Sequence, residues 1–163
     1  MPKKLSLDAV AEPARLPLWS RPGYLVRRLH QLHSALFAEE CRGFNLTPVQ
    51  YGLMTALLHY PASDQASLGA ALGIDRTNVA DVLERLAERG LVRRAKSARD
   101  RRMKLASLTE AGAALTHAMH GAMQRAQDRL LAPLPPPERE RFMAMLTTLI
   151  DANSPNGWRG LAQ

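Results

Sequence analysis

The chain has 163 residues and a mass of 18.0 kDa, the size of one ordinary domain with room for a core that needs neither a disulfide nor a structural metal. At 46% hydrophobic and 23% charged residues it is neither disordered nor fibrous. A lone Cys41 cannot close an internal disulfide, and the sequence holds neither a stretch of signal-peptide type nor an apolar run near the roughly 20 residues that span a bilayer, so a soluble cytoplasmic protein without a membrane partner is expected.

The formal net charge is +7 and the isoelectric point about 10.3, and the excess is local. Residues 76–104 carry ten lysines or arginines against four acids, a net of +6. Such density suits a polyanion, nucleic acid first; a solvated charged face is the plain alternative.

Along the chain, residues 1–20 hold Pro2, Pro13 and Pro17 with no sustained period and read as a tail that is mobile unless a partner orders it. From Pro22 a helical period sets in. Leu25, Leu29, Leu32 and Leu36 form one stripe, and Val26, His30, His33 and Phe37 form a second about 100° around the cylinder. Thr47, Pro48 and Gln50 make the start signal of a second helix, running to about Tyr60, with a capping box and proline at the first helical position. Pro61, Ala62 and Ser63 break it. Asp64 caps a short third helix through Leu72, Gly73 turns the chain, and Asp75 caps a fourth whose buried stripe is Val79, Val82, Leu83 and Leu86, closed by Gly90. Two short helices on a tight turn make a helix-turn-helix candidate.

The period then changes. Residues 91–95 and 103–108 read as two strands of a hairpin whose tip, KSARDRR, is too basic to bury. Thr109 caps a long helix to about Leu131, residues 133–137 end it, and Phe142, Met145, Leu146, Leu149 and Ile150 stripe a last helix before an irregular tail over 154–163. The fold class expected is therefore mainly α: a winged helix-turn-helix of six helices and one β-hairpin wing. The winged DNA-binding region over 47–108 lies between long helices over 21–46 and 109–153.

Each part of that order has a physical task. The start of a recognition helix enters the major groove, where base edges present a readable donor and acceptor pattern. Thr77, Asn78 and Asp81 are placed to touch bases, with Arg76 and Arg85 as cations of the same helix. Glu84 and Glu88 are expected to point away from phosphate. At the hairpin tip, Arg99, Arg101 and Arg102 suit a narrow electronegative groove, and Asp100 is expected to orient an arginine; the plain reading is that Asp100 only closes the turn.

The stretches NLTPVQYGLMTAL and DQASLGAALGIDRTNVADVLERLAERGLVRR, and DRR followed by LTEAG, resemble the MarR family of bacterial transcription regulators over about residues 22–151. Asp100 and Arg102 match the family's wing pattern; Met103 stands where a small residue is usual. The resemblance implies a homodimer in which the first and last two helices of each chain interlock, making 21–46 and 109–153 long dimerisation helices, a function as a repressor of a pseudo-palindromic operator, double-stranded DNA as partner, and release by a small ligand. The apolar face of the last two helices, too large for one small winged domain to cover, independently asks for a partner chain.

No metalloprotease, phosphate-loop or serine-hydrolase motif and no cluster of zinc-finger spacing is present, so neither an enzyme nor a resident cofactor or metal is expected. His30 with His33 and His117 with His120 supply only two ligands each, and Cys41 falls at the end of the first helix, where a buried thiol is the simpler reading than a redox or metal sensor. For an effector, Tyr24, Arg28, His30, His33, Phe37 and Tyr51 are the candidate wall: aromatic rings, imidazole and a guanidinium suit a small aromatic carboxylate. Similarity of residues 22–40 to the branch repressing aromatic-acid catabolism, nicotinate-pathway repressors included, adds pyridine carboxylates. The rival from another class is a ligand-independent architectural DNA binder.

Overall fold

Four of the six helices start on a side-chain cap that the sequence announces. Thr47 and Gln50 close a reciprocal capping box on α2 (Pro48–His59), and Asp64 accepts from the Ala66 and Ser67 amides to start α3 (Gln65–Leu72). Asp75 does the same through Thr77 and Asn78 for α4 (Arg76–Glu88), and Thr109 through Gly112 for α5 (Glu110–Leu131). Each cap satisfies amides that have no partner inside the helix. Proline at the first turn opens α1 (Pro22–Glu40) and α6 (Pro136–Asn153) instead. This computed structural model describes residues 17–100 and 102–154, so most of the expected N-terminal tail, Arg101 and the C-terminal tail from 155 lie outside the described residues.

The wing has one strand more than expected. β2 (Val92–Lys96) and β3 (Lys104–Leu108) pair antiparallel with Val92 opposite Leu108 and Lys96 opposite Lys104. The segment read as a mere break and cap contributes β1 (Ser63–Asp64), which pairs with β3 at Ala106 and Leu105 and gives the order β1-β3-β2. Two residues are too few to show a period, so this strand exists only because β3 lies beside it.

The core sits inside the winged unit. Leu53, Met54, Leu57, Leu68, Val79, Leu83, Leu86 and Met119 are all below 2% exposed, so α2, α3, α4 and the middle of α5 share one interior. Each buried leucine contributes roughly 1.5–3 kcal/mol of transfer free energy. The sheet joins α5 at a close junction: Thr109 N–H donates to the Leu91 carbonyl at 3.0 Å and its hydroxyl to the Gly90 carbonyl at 2.7 Å. A Cβ added at Gly112 would lie 2.0 Å from the Leu91 carbonyl oxygen, which explains the glycine in LTEAG.

The outer helices are different. On α1 only Phe37 is buried, and on α6 no residue is. The two stripes of α1 are therefore not two equivalent walls: Phe37 enters the core, His33 is half-buried, and Val26 and His30 are exposed, because the winged core reaches only the C-terminal end of this helix. That end is pinned to α5 by Glu40, which accepts from Arg125 Nε and Arg129 Nη1, both at 2.9 Å, with Glu39 on Arg129 at 2.8 Å. α6 packs extensively against no other element among the described residues. Among the described residues no helix is long and apolar enough to cross a membrane.

Candidate nucleic-acid interface and effector cavity

The start of α4 is exposed and preorganised. Asp75 accepts from the Thr77 and Asn78 amides at 2.9 and 3.0 Å, and the Asn78 side-chain amide donates to its other oxygen. Asn78 thus keeps one amide hydrogen and its carbonyl oxygen for another partner. Thr77, Asp81 and Arg85 are likewise exposed, while Val79, Leu83 and Leu86 anchor the opposite face.

Arg76, Ala80 and Glu84 recur every four residues and share the flank of α4 that looks toward the wing. With Arg94, Arg102 and Lys104 they line a cleft of about 660 Å³ between α4 and the sheet. Glu84 therefore does not point away from the cationic surface, contrary to the sequence expectation; it stands among four cations. Arg94 and Lys104 were missed as individual candidates although the charge cluster contained them. Their signal was the strand period, which puts Arg94 and Lys104 on neighbouring strands.

At the wing tip, Asp100 closes the turn, the plainer of the two sequence readings. Its carboxylate accepts from the Arg102 backbone amide at 2.9 Å, and the described residues include no Asp100–guanidinium ion pair. The turn is held from inside by Ser97, 8% exposed, whose hydroxyl accepts from the Arg99 and Asp100 amides while its own amide donates to the Met103 carbonyl at 2.8 Å. Ser97 and Asp100 thus fix the tip, and the exposed Arg99 and Arg102 project from it. A serine three residues before an aspartate in KSARDRR was the available signal.

Among the described residues the six effector candidates do not share either of the two cavities that Tyr51 and Phe37 line. Tyr51 lines a cavity of about 240 Å³ between α2 and α5, with Thr55, His59, Thr116, His117 and His120. Thr55 Oγ1 is buried there with no hydrogen-bond partner among the described residues. Phe37 lines a separate cleft at the α1–α2 corner. Tyr24 lies under the Arg27 guanidinium at 5.5 Å, Arg28 donates to Gln31 at 2.8 Å, and neither Arg28, His30 nor His33 lines either cavity. Burial, then the neighbouring His30, lowers the pKa of His33, favouring a neutral imidazole that hydrogen-bonds rather than a cation that pairs with an acid. His117 and His120, weighed in the sequence only as a metal pair, are cavity walls. Among the described residues no group of three His, Cys, Asp or Glu could hold a metal ion.

Cys41 is 3% exposed, and burial pushes its thiol above the ordinary value, Glu40 adding to the effect and Arg125 opposing it. The thiolate needed for oxidation is thereby disfavoured.

Comparison with known proteins places this geometry. A MarR family domain is matched over residues 44–103, which contain α2, α3, α4 and the first part of the wing. The HTH-type transcriptional repressor NicR of Pseudomonas putida is 31% identical over 152 residues, 89% of this chain and 96% of NicR. Among solved structures, Bordetella bronchiseptica BpsR, described with regulation of its DNA binding by 6-hydroxynicotinic acid, superposes with a TM-score of 0.81 at 30% identity, over 85% of this chain and 99% of that one. The Streptomyces coelicolor transcriptional regulator PcaV, in complex with its natural ligand, gives 0.76 at 31% identity over 84% and 96%. These relatives are regulators rather than enzymes, and with such similarity running through nearly the whole of both partners, the chain belongs to the MarR family of transcription regulators.

Proposed function

We propose that the protein is a cytoplasmic homodimeric repressor that holds a pseudo-palindromic operator through α4 and the wing and is released from it by a small aromatic or pyridine carboxylate. The observation that carries the reading is the clustering of Arg76, Arg94, Arg102 and Lys104 around one cleft beside the exposed, capped start of α4. Phosphate contacts from those cations position the duplex, and Thr77, Asn78 and Asp81, with Arg85 beyond them, face the bases. The half-exposed apolar surface of α1 and α6 supports a partner chain and with it two half-sites about one helical turn apart.

For the effector, the α2–α5 cavity offers the chemistry that the α1 wall of a single chain does not: the Tyr51 ring, the imidazoles of His117 and His120, and the unpartnered Thr55 hydroxyl. Its volume lies just under the usual range of about 300–1,000 Å³, which fits a one-ring acid. Arg28 and His30 lie outside that cavity in one chain, so we assign them to the effector only across the dimer. The ligand acts through its different affinity for the two dimer geometries. The similarity to BpsR, whose DNA binding is regulated by 6-hydroxynicotinic acid, supports an effector of this kind, and the ligand-bound PcaV supports a small-molecule effector.

The test is release of the chain's own promoter DNA by a panel of hydroxylated benzoates and pyridine carboxylates, 6-hydroxynicotinate included, against a random duplex of equal length. Preferential binding to the promoter and release by at least one acid, lost in His117→Ala/His120→Ala, is expected. Equal affinity for both duplexes supports the architectural alternative instead and overturns the repressor reading.

A further inference from the structure

A second cavity, of about 620 Å³, opens at the corner where the end of α1, the turn after it, the start of α2 and the end of α4 meet. Its floor is apolar: Phe37, Cys41 and Leu46 are each buried. Its rim is cationic, with Arg42 and Arg89. Neither guanidinium has a carboxylate partner among the described residues: Glu39 and Glu40, the acids nearest Arg42 in the sequence, are turned away to Arg125 and Arg129 on α5, and Glu88, next to Arg89, forms no ion pair among the described residues. Arg89 spends one N–H on the Asn45 carbonyl, at 2.8 Å, and a guanidinium carries five. Asn45 itself stands in the left-handed region, φ 52°, turning the chain around the cleft.

An apolar floor under two cations free of acids is a built receptor for one kind of molecule. We propose that this corner is a second ligand site, distinct from the α2–α5 cavity, for a small monocarboxylate with an aromatic or branched apolar body. The carboxylate takes the free N–H groups of Arg42 and Arg89, and the apolar body lies on Phe37 and Leu46. Inorganic anions gain nothing from that floor and neutral aromatics nothing from the rim, so the site selects for both together. The proposal is independent of the effector reading, because the two cavities share no lining residue.

Benzoate and its neutral isostere benzamide are the probes, with the full chain. Equilibrium dialysis of labelled benzoate in the His117→Ala/His120→Ala background is expected to retain one site per chain. Arg42→Gln and Arg89→Gln each weaken that site about tenfold, the size of one lost charge-assisted hydrogen bond. Cys41, the only cysteine, lines the cavity and reports the location: in alkaline buffer, where its raised thiol still ionises, saturable benzoate is expected to slow its alkylation by iodoacetamide, whereas benzamide does not. The Arg42 guanidinium has no described partner, so Arg42→Gln tests the site without disturbing the Arg89–Asn45 bond. Absence of protection by benzoate, equal protection by benzamide, or unchanged affinity in both arginine variants overturns the proposal.

Discussion

The winged unit and the outer helices of this chain are built to different standards of completeness. In the winged unit the large apolar side chains of α2, α3 and α4 are almost wholly out of water: Leu53 and Leu83 are 0% and 1% exposed. On the outer helices residues of the same kind are left half in water, Val26 at 58% and Leu149 at 59%. The first region closes its own core, and the second presents a face whose burial requires another surface. A charged, exposed reading head on a self-contained core can keep its shape while the frame beneath it changes partner or angle. That division is what a regulator needs if a ligand is to move two reading heads relative to each other without unfolding either.

Changes aimed at one region and then the other test this contrast. The largest effect belongs to the closed core: Leu83→Ala is expected to cost about 2–5 kcal/mol, seen as a lower denaturation midpoint with the oligomeric state unchanged in sedimentation. A loss near zero would mean that α4 is not held by this interior. Next, Leu146→Asp on α6 should turn the proposed dimer into monomers or insoluble protein and abolish promoter binding; a soluble dimer of wild-type affinity contradicts the interface.

Smaller effects are expected at the reading head. Arg102→Ala should weaken promoter binding about tenfold, as loss of one charge-assisted contact does, and Asp100→Ala should weaken it less, by loosening the turn rather than by freeing a guanidinium. The order of the two, measured by titration at fixed salt, separates contact from support. Asn78→Ala should reduce the ratio of promoter to random-duplex affinity more than it reduces random binding itself, and an unchanged ratio removes Asn78 from base recognition.

The smallest effect is at the α1–α5 clamp. Hydrogen bonds from Arg125 and Arg129 hold the Glu40 carboxyl below its ordinary value of 4.5, so the clamp is complete above that pH and lost as pH falls toward the depressed value. Wild-type melting temperature should therefore drop more than that of Glu40→Gln as pH is lowered below 4.5, with the two converging in stronger acid. Parallel curves would show that the bridge contributes nothing measurable, as exposed pairs often do.

What the sequence by itself determined was everything decided within a turn or two of chain. Thr47, Asp64, Asp75 and Thr109 each cap amides no more than three residues away, and the stripe of Val79, Leu83 and Leu86 declares which face of α4 is buried before any partner is known. Six helices, a wing and the basic reading surface follow from such local rules. The tertiary structure alone decided what depends on distant segments: β1, which needs β3 some 40 residues later; the Glu40 clamp to Arg125, 85 residues away; and the cavity joining Tyr51 to His117 and His120. It also put Glu84 in one cleft with the cations and gave Asp100 the Arg102 backbone amide to accept from. Local capping carries its own free energy and so leaves its mark in adjacent residues, whereas a contact between remote segments depends on the whole chain having closed, and no short stretch of sequence encodes it.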